Sequence, residues 1–102
     1  MLFHVTMTHT MDNCPGYNQE RFPELLAGFD RLDAAARELN VKIHFFVDGL
    51  PEHVAYALLE ADNPSSVAFF VSQIPIRQDF KLTAVEHVGD IVEKARTMMP
   101  HG

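Results

Sequence analysis

Six histidines and one cysteine are the residues of this chain whose chemistry goes beyond packing. The histidines stand at positions 4, 9, 44, 53, 87 and 101, and the cysteine is Cys14. Imidazole titrates near neutrality, so one or two rings in a pocket can shuttle a proton between the carbons of a small acid or lactone. Three converging rings can instead hold a metal of the catalytic zinc kind with one position left open. No H-x-x-x-H or C-x-x-C spacing joins any of them locally. Only the fold can bring them together, so the elements that position them come next.

The chain reads as one domain spanning 1–102, long enough for a core yet small enough to gain from association. With 47% hydrophobic and 22% charged residues it has the composition of a globular protein, not a disordered one. The net charge of −6 and the scatter of its eight basic residues argue against nucleic acid as a partner. A single cysteine excludes an internal disulfide and suits a reducing compartment. Met1 leads straight into a strand, so neither a signal peptide nor a membrane span is expected, and the expected location is the cytoplasm.

Alternation marks the first strand, about 2–9: Phe3, Val5 and Met7 on one face, Leu2, His4, Thr6 and Thr8 on the other. A turn-rich loop follows over Thr10–Gly16. Phe22, Leu25, Leu26, Phe29, Leu32, Ala36 and Leu39 then form one helical stripe, with Asn40 as a left-handed terminator. The second strand, Val41–Val47, places Ile43, Phe45 and Val47 on one face and Lys42, His44, Phe46 and Asp48 on the other. A turn at Asp48–Pro51 leads to the third strand, His53–Glu60. Asn63 caps a helix that has Pro64 at its first position and runs to about Gln73. The fourth strand lies within Ile76–His87, with Phe80, Leu82 and Ala84 opposite Lys81, Thr83, Val85 and His87. Gly89 is expected to break it before a final helix over Asp90–Met99.

The order βαββαβ plus a terminal helix is the ferredoxin-like arrangement, an α+β class with a four-stranded antiparallel sheet and both crossover helices on one face. The other face would carry His4, Thr6, Thr8, His44, Phe46, Tyr56, Thr83, Val85 and His87. Such a surface is too apolar to stay bare, and a homodimer or larger homo-oligomer would close a pocket over it. In this topology His4 and His87 are expected as neighbours or one pair apart, with His44 near the same end. His4, His44 and His87 are therefore the candidate catalytic residues, and Thr6, Thr8, Phe46, Tyr56 and Thr83 the candidate substrate contacts. The plainer alternative is that each ring is a hydrogen-bonded filler or a strand-end surface residue. A second cluster, His9 and Cys14 at the other end of strand one, has His53 and Asp48 near by on the hairpin and could take a soft metal. Its alternative is a turn in which Cys14-Pro-Gly simply packs, with His53 exposed and His101 in a frayed tail. Arg77 and Lys81 could bind a carboxylate, though a solvated strand end explains them as well.

The string Met1-Leu-Phe-His-Val-Thr-Met-Thr8 resembles the opening of the muconolactone isomerases, histidine included. Asp62-Asn-Pro-Ser-Ser-Val67 followed by Gln73-Ile-Pro75 is similar to their second-helix segment. The wider group is the dimeric α/β-barrel superfamily, which includes small monooxygenases. The resemblance implies a ferredoxin-like dimer with a pocket between sheet and helices, no organic cofactor, and a role for His4 alone by position. The Cys14-Pro-Gly loop departs from that family's pattern. Three functions follow as expectations: proton-shuttling isomerisation of a small organic acid or lactone, binding of a transition metal such as zinc, copper or nickel, and cofactor-free oxygenation of an aromatic.

Overall fold

A computed structural model describes residues 1–99 of the chain. In order, its elements are β1 (Leu2–Thr8), α1 (Phe22–Asp30), α2 (Leu32–Glu38), β2 (Lys42–Gly49), β3 (Val54–Glu60), α3 (Pro64–Val71), β4 (Asp79–Val85) and α4 (Val88–Met98). Short 3-10 turns fill the loop after β1, at Met11–Asn13, Pro15–Tyr17 and Gln19–Arg21, and another, Leu50–Glu52, joins β2 to β3. The four strands make one antiparallel sheet in the order β2-β3-β1-β4, so the α+β class expected from the pattern holds.

Alternation in β1 works as the sequence implies. Phe3, Val5 and Met7 are buried and share a core with Ala57 and Leu59 of β3, Leu32 and Ala36 of α2, and Val67, Phe70 and Val71 of α3. Helices from both crossovers thus cover the same face of the sheet. Fully burying a side chain such as Val67 or Phe70 contributes about 1.5–3 kcal/mol, and this face is where most of the stability resides. The α3 start is also as expected: Asn63 Oδ1 accepts a hydrogen bond from the Ser66 amide at 2.9 Å, behind Pro64 in the first turn. Phe69 is 61% exposed while its neighbour Phe70 is fully buried, so only the second belongs to the core.

The first crossover is two helices, not one. The Arg31 amide bonds back to the Gly28 carbonyl, a three-residue step that tightens the chain between α1 and α2. Gly28 is buried where Pro75 presses on α1; a Cβ there would stand 2.5 Å from Pro75 Cδ. Leu32 and Ala36 enter the core, whereas Phe22, Leu26 and Phe29 of the same stripe remain exposed. Asn40 does end the run with φ 56°.

The largest departure lies in β2. Ile43 pairs with Leu59, but the next partnered residue is Phe45, opposite Leu58, leaving His44 in a bulge. One extra residue reverses the parity of everything after it. Phe46, expected on the open face, therefore pairs with Ala57 on the helix-covered side. Phe45 and Val47, expected in the core, are 40% and 50% exposed on the open face.

The β4 register agrees with expectation, with Phe80, Leu82 and Ala84 opposite Met7, Val5 and Phe3. The strand ends at Val85, however, and Gly89 does not break it but sits in the first turn of α4. Every residue from Glu86 to Met99 is exposed. Val88, Ile91, Val92, Ala95 and Met98 recur on one side of α4, an apolar stripe left exposed among the described residues. No helix among the described residues is long and apolar enough to cross a membrane.

Candidate functional site

Among the described residues, one group of three metal-ligand types converges: His9, Cys14 and His53. Each arrives from a different segment. His9 is the residue just after β1, where its amide donates to the His53 carbonyl at 3.2 Å. His53 closes the β2–β3 turn in the left-handed region at φ 57°, and that backbone turn brings its ring over His9. The two rings meet edge to face, with centroids 5.1 Å apart. His53 Nδ1 and His9 Nε2 are 3.3 Å apart and share a hydrogen bond. A histidine tolerates left-handed backbone better than most side chains, at a cost of order 1–2 kcal/mol.

Cys14 is buried in the loop after β1. Its amide bonds to the Met11 carbonyl at 3.2 Å, and its own carbonyl accepts from the Tyr17 amide at 3.0 Å. The Asn18 side chain clamps the loop by donating to the carbonyls of Asp12 (2.7 Å) and Cys14 (2.9 Å). The donor atoms of His9, Cys14 and His53 all lie within 4.8 Å of one another. Burial holds the His9 pKa below its ordinary value, the neighbouring His53 lowers it further, and the Asp48 carboxylate opposes both.

His9 and Cys14 of this group, but not His53, line one end of a cleft of about 770 Å³ between the sheet and α1. Its walls are apolar: Met7 and Ala55 from the sheet floor, Phe46 from β2, Leu25 and Phe29 from α1, and Ile74 and Ile76 after α3. Phe29 and Phe46 pack edge to face at 6.4 Å. The side chains of His9, Cys14, Tyr17, Asp48 and Gln78 supply the polar groups. The exposed aromatic stripe of α1 is thus a cleft wall and not a failed core.

The expected His4, His44 and His87 set does not assemble. His4 is half-buried on the open face, opposite Thr83 and Leu58, with Tyr56 at 5.9 Å and Phe45 at 6.4 Å between ring centroids. His44, unpaired in the bulge, bonds instead to Glu60 Oε1 at 2.9 Å, toward the Lys42 end of the strand. His87 lies beyond the end of β4, exposed at the start of α4 in a groove with Leu2 and Val85. Since Thr83 pairs with His4, His87 is four residues further along and out of reach. Thr6 sits between Tyr56 and Lys81, and Thr8 between Val54 and Asp79, both on the open face. Tyr56 and Thr83 also face that side, while Phe46 lines the cleft on the other. Arg77 and Lys81 are exposed, as a solvated strand end would be. His101 lies outside the described residues.

The sequence reading set His53 and Asp48 near His9 and Cys14, and the structure groups His53 with them; it differs in that His53 is half-buried against His9 and not exposed. The available signal was the hairpin geometry, because the residue that closes the β2–β3 turn must lie beside the residue that leaves β1. Searches against protein-family models, curated proteins and solved structures return no match for this chain.

Proposed function

We propose that this chain is a ferredoxin-like protein of muconolactone isomerase type that binds a small, largely apolar organic molecule in the cleft and moves a proton on it at the polar corner. The cleft carries this reading. Its volume of about 770 Å³ lies within the usual range for small-molecule sites, and its polar groups are few against apolar walls. A lactone or small acid would lay its hydrocarbon part against Phe29, Phe46 and Ile76. Its carbonyl end would meet His9, which His53 backs by a hydrogen bond, and proton abstraction beside the carbonyl and return at another carbon is the available chemistry. The role assigned to His4 by family likeness passes to His9.

The test is a panel of small lactones and aromatic acids added to isotope-labelled protein in heavy water. Resonances of Phe29, Phe46 and Tyr17 are expected to shift. Solvent deuterium is expected to enter the ligand beside its carbonyl, unchanged in His4→Ala and lost in His9→Gln. Shifts confined to the open face, with exchange lost only in His4→Ala, would return the chemistry to His4.

The same reading includes a homodimer. Phe45, Val47 and Tyr56 stand 40%, 50% and 37% exposed beside His4 and Leu58, and the α4 stripe is uncovered. A second copy laid on that face would bury surfaces of a size soluble monomers rarely expose. His4 and Thr6 would then be interface residues.

A further inference from the structure

The corner that ends the cleft has a second capability, one that does not depend on any organic ligand. We infer that His9, Cys14 and His53 form a transition-metal site of the zinc class, with two imidazoles, one thiolate and an open position toward the cleft. It rests on the proposed function only for what would occupy that open position; with an ion bound, His9 is a ligand, so the proton transfer proposed above belongs to the metal-free protein.

The donor set is the first argument. Two imidazoles and a thiolate are the ligand types that select zinc, cobalt or copper over magnesium or calcium, and three protein ligands are the number that leaves a site open. The spacing is the second. Two nitrogens bound at about 2.05 Å to a tetrahedral ion lie about 3.3 Å apart. The His53 Nδ1 to His9 Nε2 separation is 3.3 Å, long for a hydrogen bond and matched to that edge. A nitrogen–sulfur edge in such a site is about 3.6 Å. All three donors already lie within 4.8 Å, so closing on an ion needs a movement of about 1 Å at the thiol.

The third argument is that the backbone is committed to this arrangement. Among the described residues His53 is one of two non-glycine residues with positive φ, and the other, Asn40, has the ordinary task of ending a helix. Strained backbone retained at a ring that completes a donor set is what a binding site would keep. Cys14 is held on the other side by the Asn18 clamp, and Gly16 stands beside it, where an added Cβ would rest 3.6 Å from Sγ. Asp48 lines the cleft close enough to act on His9 electrostatically, which favours a bound cation.

The experiment is a cobalt titration of the untagged, metal-stripped chain, followed by zinc competition and metal analysis after dialysis. Wild type is expected to take up one equivalent. A thiolate-to-cobalt charge-transfer band should appear in the near ultraviolet, with visible bands of four-coordinate intensity, and zinc should remove both. Cys14→Ser should abolish the charge-transfer band. His53→Asn, which keeps a residue tolerant of left-handed backbone, should weaken binding at least about tenfold. His4→Ala and His44→Ala should bind as wild type. No charge-transfer band at one equivalent, or an equal affinity in His53→Asn, overturns the site. Deuterium exchange into lactones by the metal-free protein reads the cleft separately: exchange without cobalt uptake removes the metal and leaves the cleft, and the converse removes the cleft reading alone.

Discussion

Two histidine neighbourhoods sit at opposite faces of β1 and show how differently a fold can treat the same side chain. His4 lies within the strand, in a regular ladder row with Leu58 and Thr83, and its ring stands beside those of Tyr56 and Phe45. His9 lies one residue beyond the strand, where the loop after β1 and the β2–β3 turn converge and deliver Cys14 and His53. A ladder spaces residues at fixed intervals and rarely gathers three donors, whereas a strand end can draw them from several loops. In the proposal above, the open face therefore serves as the surface for a second copy and the corner as the chemical site.

The sharpest way to break this comparison is at the adjacent pair Phe45 and Phe46, which the bulge sends to opposite faces. Phe46→Ala removes a cleft wall packed on Phe29 and is expected to lower unfolding free energy by about 2–3 kcal/mol, less than a fully buried phenylalanine because it is half-buried. Phe45→Ala should cost less than about 1 kcal/mol in dilute protein, with a larger loss at high concentration where two copies cover it. Urea unfolding at two protein concentrations measures both. Equal costs at every concentration would mean that the parity reversal in β2 is wrong.

A smaller effect, but opposite in sign at the two sites, comes from glycine. His53→Gly relieves a left-handed residue and is expected to raise stability by about 0.5–1 kcal/mol while destroying the corner. His4→Gly places glycine inside a strand and should cost about 0.5–1 kcal/mol. Thermal unfolding of the two variants gives the comparison directly. Destabilisation by both would show that His53 bears no strain and would weaken the argument that its backbone is kept for a site.

How much of this was legible follows the same division. Alternation in β1 and β4, the Asn63-Pro64 helix start and the Asn40 terminator each rest on a local rule that tertiary context did not override. The bulge at His44 was not legible, because Phe45, Phe46 and Val47 are all apolar and suit either face. The ambiguity misplaced Phe45, Phe46 and Val47, whereas in the expected His4–His44–His87 set His44 is taken up by Glu60. Its third member failed through a strand that ends two residues before His87. The split at Arg31 carries no proline; it falls beside Gly28, where Pro75 packs closely on α1, a contact no helical stripe reveals. The corner was half legible. Sequence proximity joins Cys14 and His9, and the hairpin brings His53 near them, but the left-handed backbone that sets the His53 ring against His9 is a matter of three-dimensional closure.

The smallest expected effect concerns the histidine the bulge displaced. His44 Nε2 bonds Glu60 on the exposed edge of the sheet. This hydrogen bond holds the Glu60 carboxyl below the ordinary glutamate range; slight burial opposes it, and the charges of His44, Lys42 and the amino terminus assist. A carboxyl whose folded pKa is depressed adds stability above its unfolded pKa, where both states are ionised. As pH falls through that range the unfolded chain takes up the proton first, and the contribution is gone once pH has dropped below the folded value. The pair is exposed and screened, so the effect is small. Glu60→Gln should flatten the fall of the urea midpoint on acidification, His44→Gln should flatten it equally, and the double variant should add nothing further. Superimposable curves for wild type and Glu60→Gln would make the contact a spectator. Neither substitution should disturb cobalt binding at the corner, because β2 and β3 place His44 at the Lys42–Glu60 end of the hairpin and His53 at its turn.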